Sequence, residues 1–158
     1  MPELWFYHLQ HVTAETLLPQ LLRMGLSRGL KLAVETISPE RAGFWSEVLW
    51  GQDDTSFLAH GIEGDGNAGA QPICLVASAA NPNGASFRFL VDGAMVAIGA
   101  LSESSDCQRV SVLLDGRDEA AIDAGRKLWR EARAAGVVVR YQRQNDSGGW
   151  SEATAAAA

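Results

Sequence analysis

The sequence is poor in the residues that small enzymes and metalloproteins rely on. Cysteine occurs twice, as Cys74 and Cys107, and histidine three times, as His8, His11 and His60. Each cysteine lies in or beside an apolar run, which reads as a buried thiol and gives no disulfide framework. The histidines and cysteines are scattered, without the paired spacing of a zinc site. No G-x-S-x-G elbow and no G-x-x-x-x-G-K-[ST] loop is present, so acyl transfer from a nucleophile elbow and P-loop nucleotide hydrolysis have no support. Cys74 with His60 or His8 is conceivable as a nucleophile and base on counting alone. Asp53 and Asp54 are adjacent acids in a loop, where solvation is the usual state. No apolar run approaches the ~20 residues of a bilayer span. The N-terminus lacks a basic-then-apolar signal, and a cytoplasmic location is expected. No internal repeat is visible.

What is present suits one soluble domain. The chain has 158 residues, 47% hydrophobic and 20% charged, enough for a core without staples. Its net charge is −6, so the field of the whole molecule does not draw it to nucleic acid. Apolar runs alternate with helical patterns from the start. Leu4 to Leu9 reads as a strand buried on both sides. Thr13 caps a helix over 14–28 that carries Pro19, and Leu30 to Thr36 is a second strand. Ser38-Pro39-Glu40 opens another helix, which ends at Trp50 before Gly51. Residues 52–71 read as loop. Strands are expected at 72–77, 87–91 and 110–114, with a turn at Asn81-Pro82-Asn83-Gly84. Residues 95–101 fit a short helix or a strand equally. Strand–helix–strand order implies an α/β fold, Rossmann-like and doubly wound, with a mainly parallel sheet flanked by helices. The domain is expected over 1–150, with 151–158 a frayed Ala-rich tail.

One tract, Gly64-Asp65-Gly66-Asn67-Ala68-Gly69, fits G-x-G-x-x-G. Its context differs from the dinucleotide fingerprint, which follows a strand and opens a helix. It reads as a loop, and a nucleotide- or small-molecule-binding protein using it is the alternative function.

The most informative stretch runs from Asp118 to Tyr141. Asp118 is a fitting N-cap and Gly136 a fitting C′ residue. Between them, winding at about 100° per residue brings Ala121, Ala124, Leu128, Ala132 and Ala135 onto one small apolar face. Arg126, Arg130 and Arg133 share another side, with Trp129 at its edge. The stripe is either a solvated face with a half-buried tryptophan or a recognition surface for something acidic and apolar. Arginine forks suit carboxylates, and tryptophan is a preferred interface anchor. Direct single-stranded DNA binding through Trp129 and the arginines is a third reading, disfavoured by the acidic net charge.

An ordered set of blocks resembles a known family. Phe6-Tyr7-His8-Leu9, Leu49-Trp50 and Ser56-Phe57-Leu58-Ala59-His60 are followed by Asn81-Pro82-Asn83-Gly84 and Phe89-Leu90-Val91-Asp92-Gly93. Val112-Leu113-Leu114-Asp115-Gly116, Arg126-Lys127-Leu128-Trp129-Arg130 and Ala135-Gly136 complete it. Over about the first 150 residues the chain resembles the chi subunit of bacterial DNA polymerase III. It departs at Ala59, where the signature has proline, and at Ile122, a site that can be basic in the family. The resemblance implies a non-catalytic subunit of a DNA-directed DNA polymerase complex, with no cofactor and no metal. Its implied partners are the acidic, apolar-ended C-terminal tail of single-stranded DNA-binding protein and the psi subunit of the clamp loader, or a helicase in place of psi. By position, the tail site comprises Arg126, Trp129 and Arg130, with Tyr141 close by. The psi-facing surface includes Trp50 and Phe57.

Overall fold

A computed structural model describes residues 2–52, 58–103 and 106–153. Among them the elements run β1 (Glu3–Leu9), α1 (Ala14–Ser27), β2 (Leu32–Glu35), α2 (Pro39–Trp50), β3 (His60–Ile62), a 3-10 turn (Ala68–Ala70), β4 (Ile73–Val76) and β5 (Phe87–Leu90). They continue as α3 (Ile98–Glu103), β6 (Arg109–Asp115), α4 (Glu119–Ala134), β7 (Val139–Gln144) and β8 (Trp150–Ala153). The strands form one eight-stranded sheet in the order β3-β4-β2-β5-β6-β1-β7-β8. Every pairing is parallel except β7 with β8. The chain is therefore the expected α/β domain with a mainly parallel sheet and helices on both faces.

The helix starts follow local chemistry. Thr13 accepts from the Thr16 N–H, Ser38 from the Arg41 N–H, and Asp118 from the Ala120 and Ala121 N–H groups. These side chains satisfy donors that the first turn leaves without partners. Pro39 sits at the start of α2, where a missing N–H costs nothing. Gly136 adopts φ +78 after α4, the left-handed conformation expected of it.

Two apolar clusters flank the sheet. Leu17, Leu18 and Leu22 of α1 and Ala42, Trp45 and Leu49 of α2 pack on one face. Leu101 of α3 and Ile122, Leu128 and Ala132 of α4 pack on the other. Coverage is uneven. Helices α1 and α2 lie over β2, β3 and β4, while α4 lies over β6, β1 and β7.

Four expectations are corrected. First, β1 is not buried on both sides: Leu4 and Phe6 are buried, but Trp5 and Tyr7 are half-buried, because α1 packs on Leu9 and only borders these two rings across a hollow. Second, residues 52–71 are not all loop: His60–Ile62 forms β3 on the sheet edge, pairing with Ile73–Leu75. Three residues with one glycine carry too short a pattern to announce a strand. Third, the buried face of α4 is Ile122, Gly125, Leu128 and Ala132, rotated from the alanine face expected. The larger Ile122 enters the core, and Gly125 lets the helix settle on Leu114. A Cβ on Gly125 would stand 2.5 Å from Leu114 Cδ1. Fourth, residues 151–153 of the expected tail belong to strand β8, and its residues 154–158 lie outside the described residues. Trp150 anchors that strand, its ring edge-on to Tyr7 with centroids 5.5 Å apart. Of the segment 95–101, which fits helix or strand, residues 98–101 belong to helix α3 (Ile98–Glu103).

Candidate functional site

Helix α4 and strand β7 bring the stripe residues and Tyr141 to the same side of the sheet, but not into one pocket. Trp129 and Tyr141 line a hollow of about 270 Å³ together with Arg133, Val139, Glu152 and Ala153. Trp129 is half-buried and packs on the core beneath it. The Arg133 guanidinium lies 5.1 Å from the centre of the indole, a cation–π contact that holds both side chains. Tyr141 is 1% exposed. Its ring stacks on Phe6 with centroids 5.6 Å apart, and its oxygen is 2.9 Å from His8 Nδ1. Tyr141 is therefore a floor residue; its hydroxyl is already engaged.

Arg126 faces a neighbouring hollow of about 340 Å³, lined also by His8, Gln10, Gly116, Glu119, Ile122, Asp123 and Arg143. Arg126 Nη1 lies 3.5 Å from Asp123 Oδ1. With its amide turned to suit both neighbours, Gln10 accepts from Arg143 Nε and Nη2 at 3.0 Å each. Burial lowers the pKa of His8 below the ordinary histidine value, and Arg143 and Arg126 lower it further. His8 is thus held neutral at neutral pH. Burial raises the pKa of Tyr141, against the pull of Arg126 and Arg143. Burial is the larger cause of both shifts, and in both the charges of Arg126 and Arg143 act as positive potential between α4 and β7. The His8–Tyr141 bond joins the two hollows underneath. Arg130 stands exposed on the outer flank of α4 and lines neither.

Sequence reasoning missed lining residues on β7 and β8. Strand β8 supplies a wall through Glu152 and Ala153. Glu152 is paired with Arg140, Nη1 to Oε2 at 3.2 Å, which offsets its charge. Val139 and Arg143 were reachable, since alternation on β7 puts them on the face of Tyr141. Arg133 belonged to the stripe, and its guanidinium lies over the indole.

The second expected surface is half described. Trp50, at the end of α2, is 56% exposed, and its ring centroid lies 4.9 Å from that of His60. Phe57 lies outside the described residues. His60 is itself held, Nε2 to Ser46 Oγ at 2.9 Å and Nδ1 to the Leu58 carbonyl at 2.7 Å.

The glycine-rich tract does follow a strand, β3. It opens only the 3-10 turn Ala68–Ala70 and then leads to β4. A full helix N-terminus, which a pyrophosphate requires, is not formed there. Among the described residues no group of three or more His, Cys, Asp or Glu could hold a metal ion, and no helix is long and apolar enough to cross a membrane. No curated protein matches the chain. A model of one family, the DNA polymerase III chi subunit, HolC, matches residues 1–140. The chain belongs to the DNA polymerase III chi subunit family.

Proposed function

We propose that this member of the chi family is a non-catalytic adaptor of the replicase. In this reading it joins the clamp loader to single-stranded DNA-binding protein by gripping that protein's acidic C-terminal tail. Family membership supports a replicase subunit. The observation that carries the finer reading is the hollow between Trp129, Arg133 and Tyr141, where Val139 and Ala153 give apolar wall beside the indole and Arg133 gives the charge. A terminal apolar side chain would enter beside the indole. Arg126, Arg130 and Arg133 would meet carboxylates along the tail, with Arg143 adding to the field.

The partner on the clamp-loader side would be psi, or a helicase in its place, docking at the exposed Trp50 with Phe57 nearby in sequence. An exposed tryptophan beside a short edge strand is a fitting anchor for a protein partner.

The test is a fluorescence titration with an acidic peptide ending in an aromatic residue. Trp129→Ala is expected to weaken binding about tenfold, at low and high salt alike, because it removes apolar area. Arg130→Glu is expected to weaken binding strongly at low salt and less at high salt, because exposed charges are screened. Unchanged curves for both variants would remove the site.

A further inference from the structure

The opposite face of the sheet carries a second concentration of aromatic and basic side chains. On the face that carries α1, the helix packs on Leu9 of β1 and Leu113 of β6, and the edge strands beyond it leave Arg140 of β7 and Glu152 of β8 exposed. Trp5 and Tyr7 project there from β1 and Trp150 from β8, all half-buried. The Trp5 and Tyr7 rings are 6.3 Å apart and tilted by 30°. Arg109 enters between two rings, its guanidinium 3.9 Å from the centre of Trp5 and 4.4 Å from that of Phe87. Arg140 lies 5.9 Å from Trp5. Arg28 stands exposed at the end of α1, beside a hollow of about 200 Å³ that Trp5, Tyr7, Phe87 and Arg109 also line.

The charges on this face act together. Burial lowers the pKa of Arg109, Tyr7 and Glu3 oppose that, and the repulsion of Arg28 and Arg140 adds to it. Two carboxylates balance part of the charge, Glu3 at 4.0 Å from Arg109 and Glu152 at 3.2 Å from Arg140. Three arginines against two acids leave a net positive patch on a chain whose net charge is −6.

We infer that the half-buried aromatic margin of this face, Trp5, Tyr7 and Trp150 with the arginines around them, is a stacking platform for single-stranded nucleic acid. Rings two residues apart on one strand present separate aromatic planes, as in sheet-based RNA readers whose aromatics stack two or three bases. The spacing of the two rings is about twice the 3.4 Å rise of stacked bases, so neighbouring bases would splay rather than stack on each other. Arg109, flat on Trp5, extends the stacking surface. Arg28 and Arg140 lie at its margin, where phosphates would run. An acidic peptide with one terminal aromatic would meet the arginines but engage a single ring, whereas successive bases can engage several, so the composition favours bases. The inference is independent of the tail site, which lies beyond the sheet on the α4 side.

The experiment is anisotropy of a fluorescein-labelled thymidine oligonucleotide of about twelve nucleotides, titrated with the full chain at low ionic strength. Saturable binding is expected, falling as salt rises. Arg28→Glu, at an exposed position that leaves the core intact, is expected to weaken it roughly tenfold, as is Trp5→Ala. Arg130→Glu, across the sheet, is expected to leave it unchanged, and the acidic tail peptide is expected not to compete. Absence of binding by the unaltered chain overturns the inference. So does an Arg28→Glu variant that binds normally, an equal loss in Arg130→Glu, or displacement by the tail peptide.

Discussion

Trp129 and Tyr141 are both aromatic and both line the proposed pocket, yet they differ in what a substitution would cost. Tyr141 is core, so its loss would unfold as well as unbind; Trp129 is the residue to change. A second informative residue is Asp92. Its carboxylate accepts from Thr36 Oγ1, from Arg41 Nε and Nη2 at 3.1 and 2.8 Å, and from Trp45 Nε1 at 2.8 Å. Burial works to raise its pKa, but these hydrogen bonds and the Arg41 charge outweigh burial and leave it below the usual carboxylate value. A depressed carboxylate stabilises the fold above its unfolded pKa, and that stability is lost as pH falls through the folded value. Asp92 also has φ 60, a conformation that asparagine tolerates. Asp92→Asn therefore isolates the charge, and urea unfolding at neutral pH is expected to show a loss of about 2 kcal/mol. A difference within error would mean that α2 is held by packing alone. His8 carries a pH effect of the same direction. Its folded pKa lies below the ordinary 6.5, so its contribution is intact above that value and is lost on acidification through the folded value. Urea midpoints are expected to drop between pH 7.5 and pH 5.5 more steeply in the unaltered chain than in His8→Gln; equal slopes would refute the assignment.

At the scale of elements, the junction of β6 with α4 determines where the arginine stripe stands. Gly116 donates its N–H to the Leu9 carbonyl at 2.8 Å. A Cβ there would meet that carbonyl oxygen at 2.1 Å and the His8 ring at 3.1 Å. Backbone cannot rotate away as a side chain can, so Gly116→Ala is expected to lower stability by roughly 3 kcal/mol. A thermal scan with unchanged Tm would contradict that. Helix α4 itself was legible in the sequence because Asp118, Gly136 and a strong 3.6-residue period agree with one another. Its buried face is rotated from the one the pattern suggests, because four alanines dominate a small-residue count while one isoleucine and one glycine decide the packing. Strands β3 and β8 were not legible. Each has at most four residues and takes its order from a neighbour, β4 for the first and β7 for the second. Local pattern carries little of that information. Because β8 walls the hollow, a chain ending at residue 149 is expected to bind the tail peptide about tenfold more weakly, with the peptide titration as the check. Full affinity would make β8 irrelevant to the site.

At the scale of the whole molecule, the parallel sheet was readable from the alternation of elements, whereas the uneven cover of its two faces was not. That unevenness separates a groove on the α4 side from a half-buried aromatic margin on the other. Single side chains predict neither, since both depend on which strands each helix crosses. The molecule is acidic, yet its arginines gather at both surfaces. A partner is therefore met by local fields that salt screens. The most direct measurement of the central claim is a nitrogen–proton correlation spectrum of the labelled chain, titrated with an acidic peptide ending in an aromatic residue. The Trp129 indole N–H and the amides of Arg133, Val139 and Ala153 are expected to shift together and to saturate. Shifts confined to the face of Trp5 and Tyr7, or to Trp50 and His60, would contradict the proposed grip on the tail.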